Sequence, residues 1–165
     1  MIGERPAVVE RRSRIGDRET DTVMGESLGE SSDCLLTLVE RKTGFVLIGK
    51  LAARTAAEAN RASLELLARH PDRVQTITAD NGMEFHWYGQ VEAVSAVKFY
   101  FATPHHSWER GTNENTNGLI RQYLPKGQTM SRATQNECDL ITEHLNNRPT
   151  KRHAYKTPNQ CFLRY

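Results

Sequence analysis

Three acids of this chain, Asp21, Asp80 and Glu114, have settings suited to chemistry. Asp21 falls inside a β-type run, Glu19-Thr20-Asp21-Thr22-Val23, where alternation puts Glu19, Asp21 and Val23 on one face. An aspartate is disfavoured inside a strand, so something should repay it. Asp80 follows another short β-rich run and precedes Asn81-Gly82, a tripeptide that is equally ordinary turn chemistry. Glu114 lies on an expected helix over 112–124. At about 100° per residue, Leu119, Ile120, Tyr123 and Leu124 gather on one side, and Glu114, Asn117, Gly118 and Arg121 on the other. Gly118 costs roughly 1 kcal/mol against Ala in a helix, and it leaves room beside Glu114 for a close ligand such as a sugar–phosphate backbone. Carboxylates from two strands and a helix could surround a hard divalent cation. Two such ions would activate the attacking oxygen and stabilise the leaving one in phosphodiester displacement. No spacing rule makes the three converge; that depends on the fold.

The elements that must position them are legible in outline. Strands are predicted over 20–25, 34–41 and 45–51, the last two flanking a short Gly-containing break as a β-hairpin. Asp17 precedes the first strand and is expected at the surface. Thr55-Ala-Ala-Glu58 has a capping-box pattern, and Ala56, Ala59, Ala62 and Leu66 follow at helical spacing up to Pro71. A strand over 74–79, a helix over 88–96 and a strand over 97–102 come next. After a polar loop over 105–111 and the helix bearing Glu114, a last helix spans 134–147, with Cys138, Ile141 and Leu145 on one stripe. Residues 1–16 read as a charged leader. Antiparallel strands first, then strands alternating with helices, predict an α/β mixed sheet with helices on its faces. Sites in such sheets gather where strands end.

Composition narrows the class. The chain has 165 residues, enough for about one domain, of which 38% are hydrophobic and 25% charged, so wholesale disorder is out. No apolar run approaches the roughly 18 residues of a membrane helix, and the first residues carry charges where a secretion signal needs an apolar core. Three scattered cysteines, Cys34, Cys138 and Cys161, form no CxxC pair and read as reduced thiols. His105-His106 lacks zinc-ligand spacing and reads as surface loop. Net charge is only +2, but basic residues concentrate at both ends, with Arg148, Lys151, Arg152, Lys156 and Arg164 free of any acid over 148–165. Such clusters footprint on phosphate or are merely solvated ends.

The stretch SWERGTNENTNGLIRQYLPKG (107–127) closely resembles the signature of bacterial insertion-sequence transposases of the IS-thirty family. GDRETDTVMG, LVERKTGFVL, TADNGMEF and LNNRPTKRHAYKTP follow the family's order, so the resemblance spans about residues 4–165. It implies an integrase-type catalytic core with a ribonuclease-H-like fold: a mixed five-stranded sheet flanked by helices. It also implies that Asp21, Asp80 and Glu114 are the catalytic triad and the ligands of Mg²⁺, with two ions and Mn²⁺ as a substitute; 33 residues separate Asp80 from Glu114. Water would first attack a phosphodiester at the element's end, and the freed 3′-hydroxyl would then attack target DNA. Arg121, Lys126, Asn117, Arg110 and Trp108 become candidate DNA contacts. The implied partners are the element's ends, target DNA and further copies of the chain, in the cytoplasm at the nucleoid, with no membrane.

Two departures stand out. The family usually reads Gly-Asp-Trp-Glu, with a glycine or apolar residue before the first Asp. Here Arg18 replaces the Trp and Thr20 precedes Asp21, which is expected to loosen local packing. The family also carries an N-terminal helix-turn-helix domain that this chain is expected to lack, leaving 1–16 as basic linker and 17–165 as catalytic core. A catalytically silent remnant that binds DNA or inhibits full-length transposase is the alternative reading, and a structure-selective nuclease is a third.

Overall fold

The computed structural model describes residues 2–25, 33–103, 111–128, 130–131 and 133–164. Five strands form one mixed sheet: β1 (Asp17–Met24), β2 (Cys34–Glu40), β3 (Val46–Leu51), β4 (Thr76–Ala79) and β5 (Lys98–Phe101). Their order across the sheet is β3-β2-β1-β4-β5. The first three pair antiparallel, while β4 lies parallel to both β1 and β5. The helices are α1 (Ala7–Glu10), α2 (Ala56–Leu67), α3 (Tyr88–Ser95), α4 (Gly111–Ile120), α5 (Gln135–Asn146) and α6 (Pro158–Leu163).

The sheet is buried on both faces, which is why β2 reads as the near-continuous apolar run CLLTLVE. Cys34, Leu36 and Leu38 join Leu66, Ile77 and Phe99 in one apolar cluster. Leu35 and Val39 join Ile120, Cys138, Ile141 and Leu145 in the other. The Cys138–Ile141–Leu145 stripe expected of the last helix is thus core. At the β3 edge, side-chain amides of α5 replace a missing strand. Asn146 accepts from Val46 N–H (2.9 Å) and donates to Val46 O (2.8 Å), while Gln135 accepts from Lys50 N–H (2.9 Å) and donates to Ile48 O (2.9 Å). An exposed edge is thereby closed to foreign strands.

Several local expectations are corrected. β1 begins at Asp17, not Thr20, and Asp17 is buried rather than exposed. Arg14 grips both its carboxylate oxygens at 2.9 Å and the Thr76 hydroxyl donates to one of them (2.8 Å), so the charge is paired and hydrogen-bonded. Thr55 caps α2 by accepting from Glu58 N–H, but the reciprocal half of the box is replaced: Glu58 accepts from Ala52 N–H and from Arg61. α4 ends at Ile120, four residues early, and Tyr123 is 42% exposed rather than core. Residues 1–16 hold a 3₁₀ turn and α1, with Val9 fully buried and the Arg5 guanidinium donating to Thr78 Oγ1 (3.0 Å). α6 was not anticipated, although Thr157 and Gln160 form a full capping box around Pro158.

Arg18 fills the place expected to be loosely packed. It is fully buried, its guanidinium 5.5 Å from the Phe162 ring centroid, and Phe162 stacks on Phe45 at 4.1 Å. Its three nitrogens have no hydrogen-bond partner among the described residues. Burial drives its pKa down to about 10, against the opposing pull of Glu40, its cross-strand neighbour.

Cys34 and Cys138 are buried free thiols that desolvation pushes up to about 11, whereas Cys161 is half-buried. The thiolate is the reactive form. A thiol reagent at mildly alkaline pH is therefore expected to label Cys161 in the native protein and the other two only on unfolding; rapid native labelling of Cys34 or Cys138 would contradict this packing.

Candidate functional site

The site is built along one strand and one helix. On β1, Glu19, Asp21 and Val23 share a face, as alternation predicts. Glu19 Oε2 accepts from the backbone N–H of Asn113, in the first turn of α4 (3.0 Å). Asp21 Oδ2 accepts from Asn117 Nδ2, one turn on (3.0 Å). Arg121, just past the helix, donates from its guanidinium to Met24 O (2.6 Å). Strand and helix therefore run side by side in the same direction. A two-residue step along β1, about 6.6 Å, nearly matches a four-residue step along α4, about 6 Å.

Glu19 anchors this arrangement. It is fully buried, and its other oxygen accepts from Arg41 Nη1 (2.6 Å). Burial pushes the Glu19 carboxyl up, against Arg41 and the Asn113 N–H, which both favour its charge. A helix's first N–H groups lack partners within the helix, so a carboxylate there caps it and complements its dipole. Arg41 has a more distant second acid, Glu10, at 3.6 Å. Neither Glu19 nor Arg41 was among the expected functional residues. The available signal was Glu19's place on the same face as Asp21.

Asp80 stands one residue beyond β4. The β1–β4 ladder pairs Asp17 with Thr76, Arg18 with Ile77 and Glu19 with Thr78. The same offset carried two residues on sets Asp80 level with Asp21, on strands about 4.8 Å apart. Its Oδ1 accepts from Gly82 N–H (2.9 Å), so Asp-Asn-Gly is a real turn, and Asn81 Nδ2 ties it to Ala102 O beyond β5 (3.1 Å). Gly82 is there for space: a Cβ would lie 2.5 Å from Glu84 Oε2 and 2.9 Å from Asp80 Oδ1. Buried Glu84 in turn accepts from Thr22 Oγ1 and Arg54 Nε, both at 2.8 Å, bracing this loop against β1. Burial raises the Glu84 pKa, but its own backbone N–H, Arg54 and Thr22 together outweigh it and hold the carboxyl below its ordinary value.

Glu114 is exposed on α4, three residues before Asn117 and on the same flank. Among the described residues no three His, Cys, Asp or Glu side chains stand close enough to share a metal ion. The strand register thus carries Asp80 towards the level of Asp21, with Glu114 on the adjoining helix, and the three do not form a closed cluster. The donor set is all carboxylate oxygen, as hard cations prefer. Asn117 Oδ1, buried and without a hydrogen-bond partner among the described residues, adds an oxygen beside Asp21. Gly118 faces open space, as its proposed role requires. Of the candidate DNA contacts, Lys126 is exposed, Arg121 is engaged with Met24 O, and Asn117 is turned to Asp21. Trp108, Arg110 and the pair His105-His106 lie outside the described residues.

No protein-family model matches the chain. It is 45% identical over 161 residues to the transposase for insertion sequence element IS4351 of Bacteroides fragilis, covering 98% of this chain and 48% of that protein. It is 37% identical over 164 residues to transposase InsI for insertion sequence element IS30A of Escherichia coli K12, covering 99% and 42%. By sequence, this chain is a relative of insertion-sequence transposases. It spans about half the length of the transposases it matches. The catalytic core domain of BIV integrase superposes with a TM-score of 0.67 at 18% identity, covering 89% of this chain and 93% of that one. A simian T-cell lymphotropic virus intasome chain gives 0.71 at 21%, covering 89% and 54%. The transposase relative therefore has the ribonuclease-H-like fold of integrase cores, as the sequence resemblance implies. No helix among its described residues is long and apolar enough to cross a membrane.

Two stability tests follow. Glu19→Ala removes both the carboxylate nearest the Arg41 guanidinium and the acceptor of the Asn113 N–H, and breaking a buried pair costs about 3–5 kcal/mol. Chemical denaturation should show a loss of about 3 kcal/mol, only partly recovered in Glu19→Ala/Arg41→Met, which still lacks the acceptor for Asn113 N–H; a loss under about 1 kcal/mol would mean that Glu19 does not hold α4. Gly82→Ala should cost about 1–3 kcal/mol by overpacking, and an unchanged melting temperature would show that the Asp80 turn has slack.

Proposed function

We propose that this chain is the catalytic part of an insertion-sequence transposase, carrying out divalent-metal-dependent cleavage and strand transfer of DNA. The observation that carries the reading is Asp21 set level with Asp80 by strand register and oriented by Asn117 from the helix that bears Glu114. The transposase relatives support it. Asp21, Asp80 and Glu114 are the metal ligands in this reading, and Mg²⁺ bound there would supply Lewis acidity to a phosphodiester and to its nucleophile. Asn117 holds one Asp21 oxygen in place, Thr22 N–H holds the other (2.9 Å), and the Gly82 turn fixes Asp80. Closing the ligand set needs the three carboxylates to draw closer together. The two displacements at phosphorus use water first and the freed 3′-hydroxyl second, without a covalent protein intermediate. Residues 17–165 form the catalytic unit. Element ends and target DNA are its substrates, held by further copies of the chain. Arg121, Lys126, Arg110 and Trp108 contact the DNA, Lys126 through phosphate, and the protein works in the cytoplasm at the nucleoid.

That no three carboxylates among the described residues stand close enough to share a metal ion favours one second reading, a DNA-binding chain without chemistry. Cleavage and resealing of a preassembled branched DNA with Mg²⁺ or Mn²⁺ decides between them. The parent is expected to be active, while Asp21→Asn, Asp80→Asn and Glu114→Gln each lose at least about a hundredfold, in keeping with removal of a metal ligand. A folded parent that binds the junction without cutting it would establish the second reading.

A further inference from the structure

A cleft of about 320 Å³ opens on the flank of α4 away from Glu114, between that helix, the β2–β3 turn and the segments around residues 12 and 148–158. At about 100° per residue, Gly111, Asn115 and Leu119 face it while Glu114, Asn117 and Arg121 face the opposite way. Four basic residues line it, Arg12, Arg148, Arg152 and His153, and no Asp or Glu does. None of the three arginines is within salt-bridge distance of a carboxylate among the described residues. Arg152 is anchored by donating to the carbonyls of Arg41 and Lys42, and the His153 ring meets Thr43 O at 3.0 Å. Arg12 is held with φ +50°, a left-handed backbone uncommon for a side-chain-bearing residue. Of the buried acids behind the cleft, Glu40 accepts from the Thr43 N–H and hydroxyl and Glu19 is committed to Arg41 and Asn113.

Cations from three chain segments thus converge on a cleft whose lining holds no acid, over a floor that includes Val46, Leu119 and Leu145, with Glu40 and Glu19 behind it as the carboxylates that act on Arg152. Their mutual repulsion registers in the groups themselves. Burial and then Arg12 lower the Arg152 pKa, and burial and then Arg152 lower that of His153, in both cases against the opposing pull of Glu40. A bound anion would relieve that repulsion. Guanidinium groups hold phosphate oxygens in forked geometry, while the apolar floor suits the sugar or base attached to one.

We propose that this cleft is a second nucleic-acid site, holding the phosphodiester backbone of a strand on the face of α4 opposite the carboxylates. The inference rests on the nucleic-acid partner of the proposed function but not on the chemistry of Asp21, Asp80 and Glu114. A transposition intermediate has several DNA arms, so one arm would run past the acids while another is held here.

The test is fluorescence anisotropy with a short labelled single-stranded oligonucleotide in EDTA across a salt series, on the parent, Arg12→Glu/Arg148→Glu and Arg12→Lys/Arg148→Lys. Circular dichroism establishes that each is folded. The charge-reversed variant should bind about tenfold or more weakly, with a salt slope shallower by about 0.7 for each phosphate it no longer neutralises, and the lysine variant should retain most binding. Parent-like affinity in the folded charge-reversed variant, or no strand binding by the parent, overturns the proposal. So does equal affinity for inorganic phosphate and for the strand, which would make this a free-anion site. Because binding is read without metal, failure here leaves the cleavage result standing, and loss of cleavage leaves this result standing.

Discussion

Glu19 is the group on which the arrangement of this molecule depends. A fully buried carboxylate needs both a counter-charge and hydrogen bonds, and it takes the first from Arg41 at the end of β2 and the second from the first turn of α4. One side chain thereby joins two strands to a helix 94 residues away in the chain. Once that end is fixed, the near-equality of the strand and helix steps brings the later contacts into line: Asp21 meets Asn117, Met24 O meets Arg121, and Val23 and Ile120 enter one apolar cluster. The orientation of Asp21 is therefore inherited from a residue that takes no part in the proposed chemistry.

The same economy appears on the other side of the sheet. The parallel pairing of β1 with β4 places Asp80, and two interlocked acids keep it there: Asp80 closes its own turn, and Glu84 ties that turn to Thr22 and Arg54. Gly82 lets the two carboxylates approach. At the far edge, Gln135 and Asn146 seal β3, so that both faces and one edge of the sheet are covered by helices. Arg18 is a buried charge in this packing. Its guanidinium lies against the Phe162 ring with its charge set across the strand pair from Glu40, while its three nitrogens are buried without a hydrogen-bond partner among the described residues.

Much of the fold was legible because its signals are local. Alternation in Glu19-Thr20-Asp21-Thr22-Val23 placed the right residues on one face, and the Cys138–Ile141–Leu145 stripe placed the right face of α5 inward. Strand and helix alternation after residue 55 announced the mixed sheet. What was misread had distant causes. Asp17 looked like a surface residue because the Thr76 hydroxyl that helps bury it lies 59 residues on. α4 was drawn four residues too long because its apolar side continued in sequence, while in space its buried side is Thr112, Asn113, Thr116 and Ile120, mostly polar groups that β1 accommodates. α6 is the exception: its capping box at Thr157 and Gln160 was local and readable, and it was obscured by the basic residues around it.

By itself, the sequence determined the kind of sheet, the faces of its strands and helices, the carboxylates worth attention and, through the order of its motifs, the transposase family it resembles. It could do so because periodicity, capping and turn chemistry act within a few residues. Only the tertiary structure decided that the β1–β4 register carries Asp80 towards the level of Asp21, that Asn117 donates to Asp21, that the three acids do not form a closed cluster, and that Arg12 shares a cleft with Arg148, Arg152 and His153. Each of these is set by strand order and by how far one element slides along another. A pattern along the chain states which face a side chain occupies, but not what that face will meet.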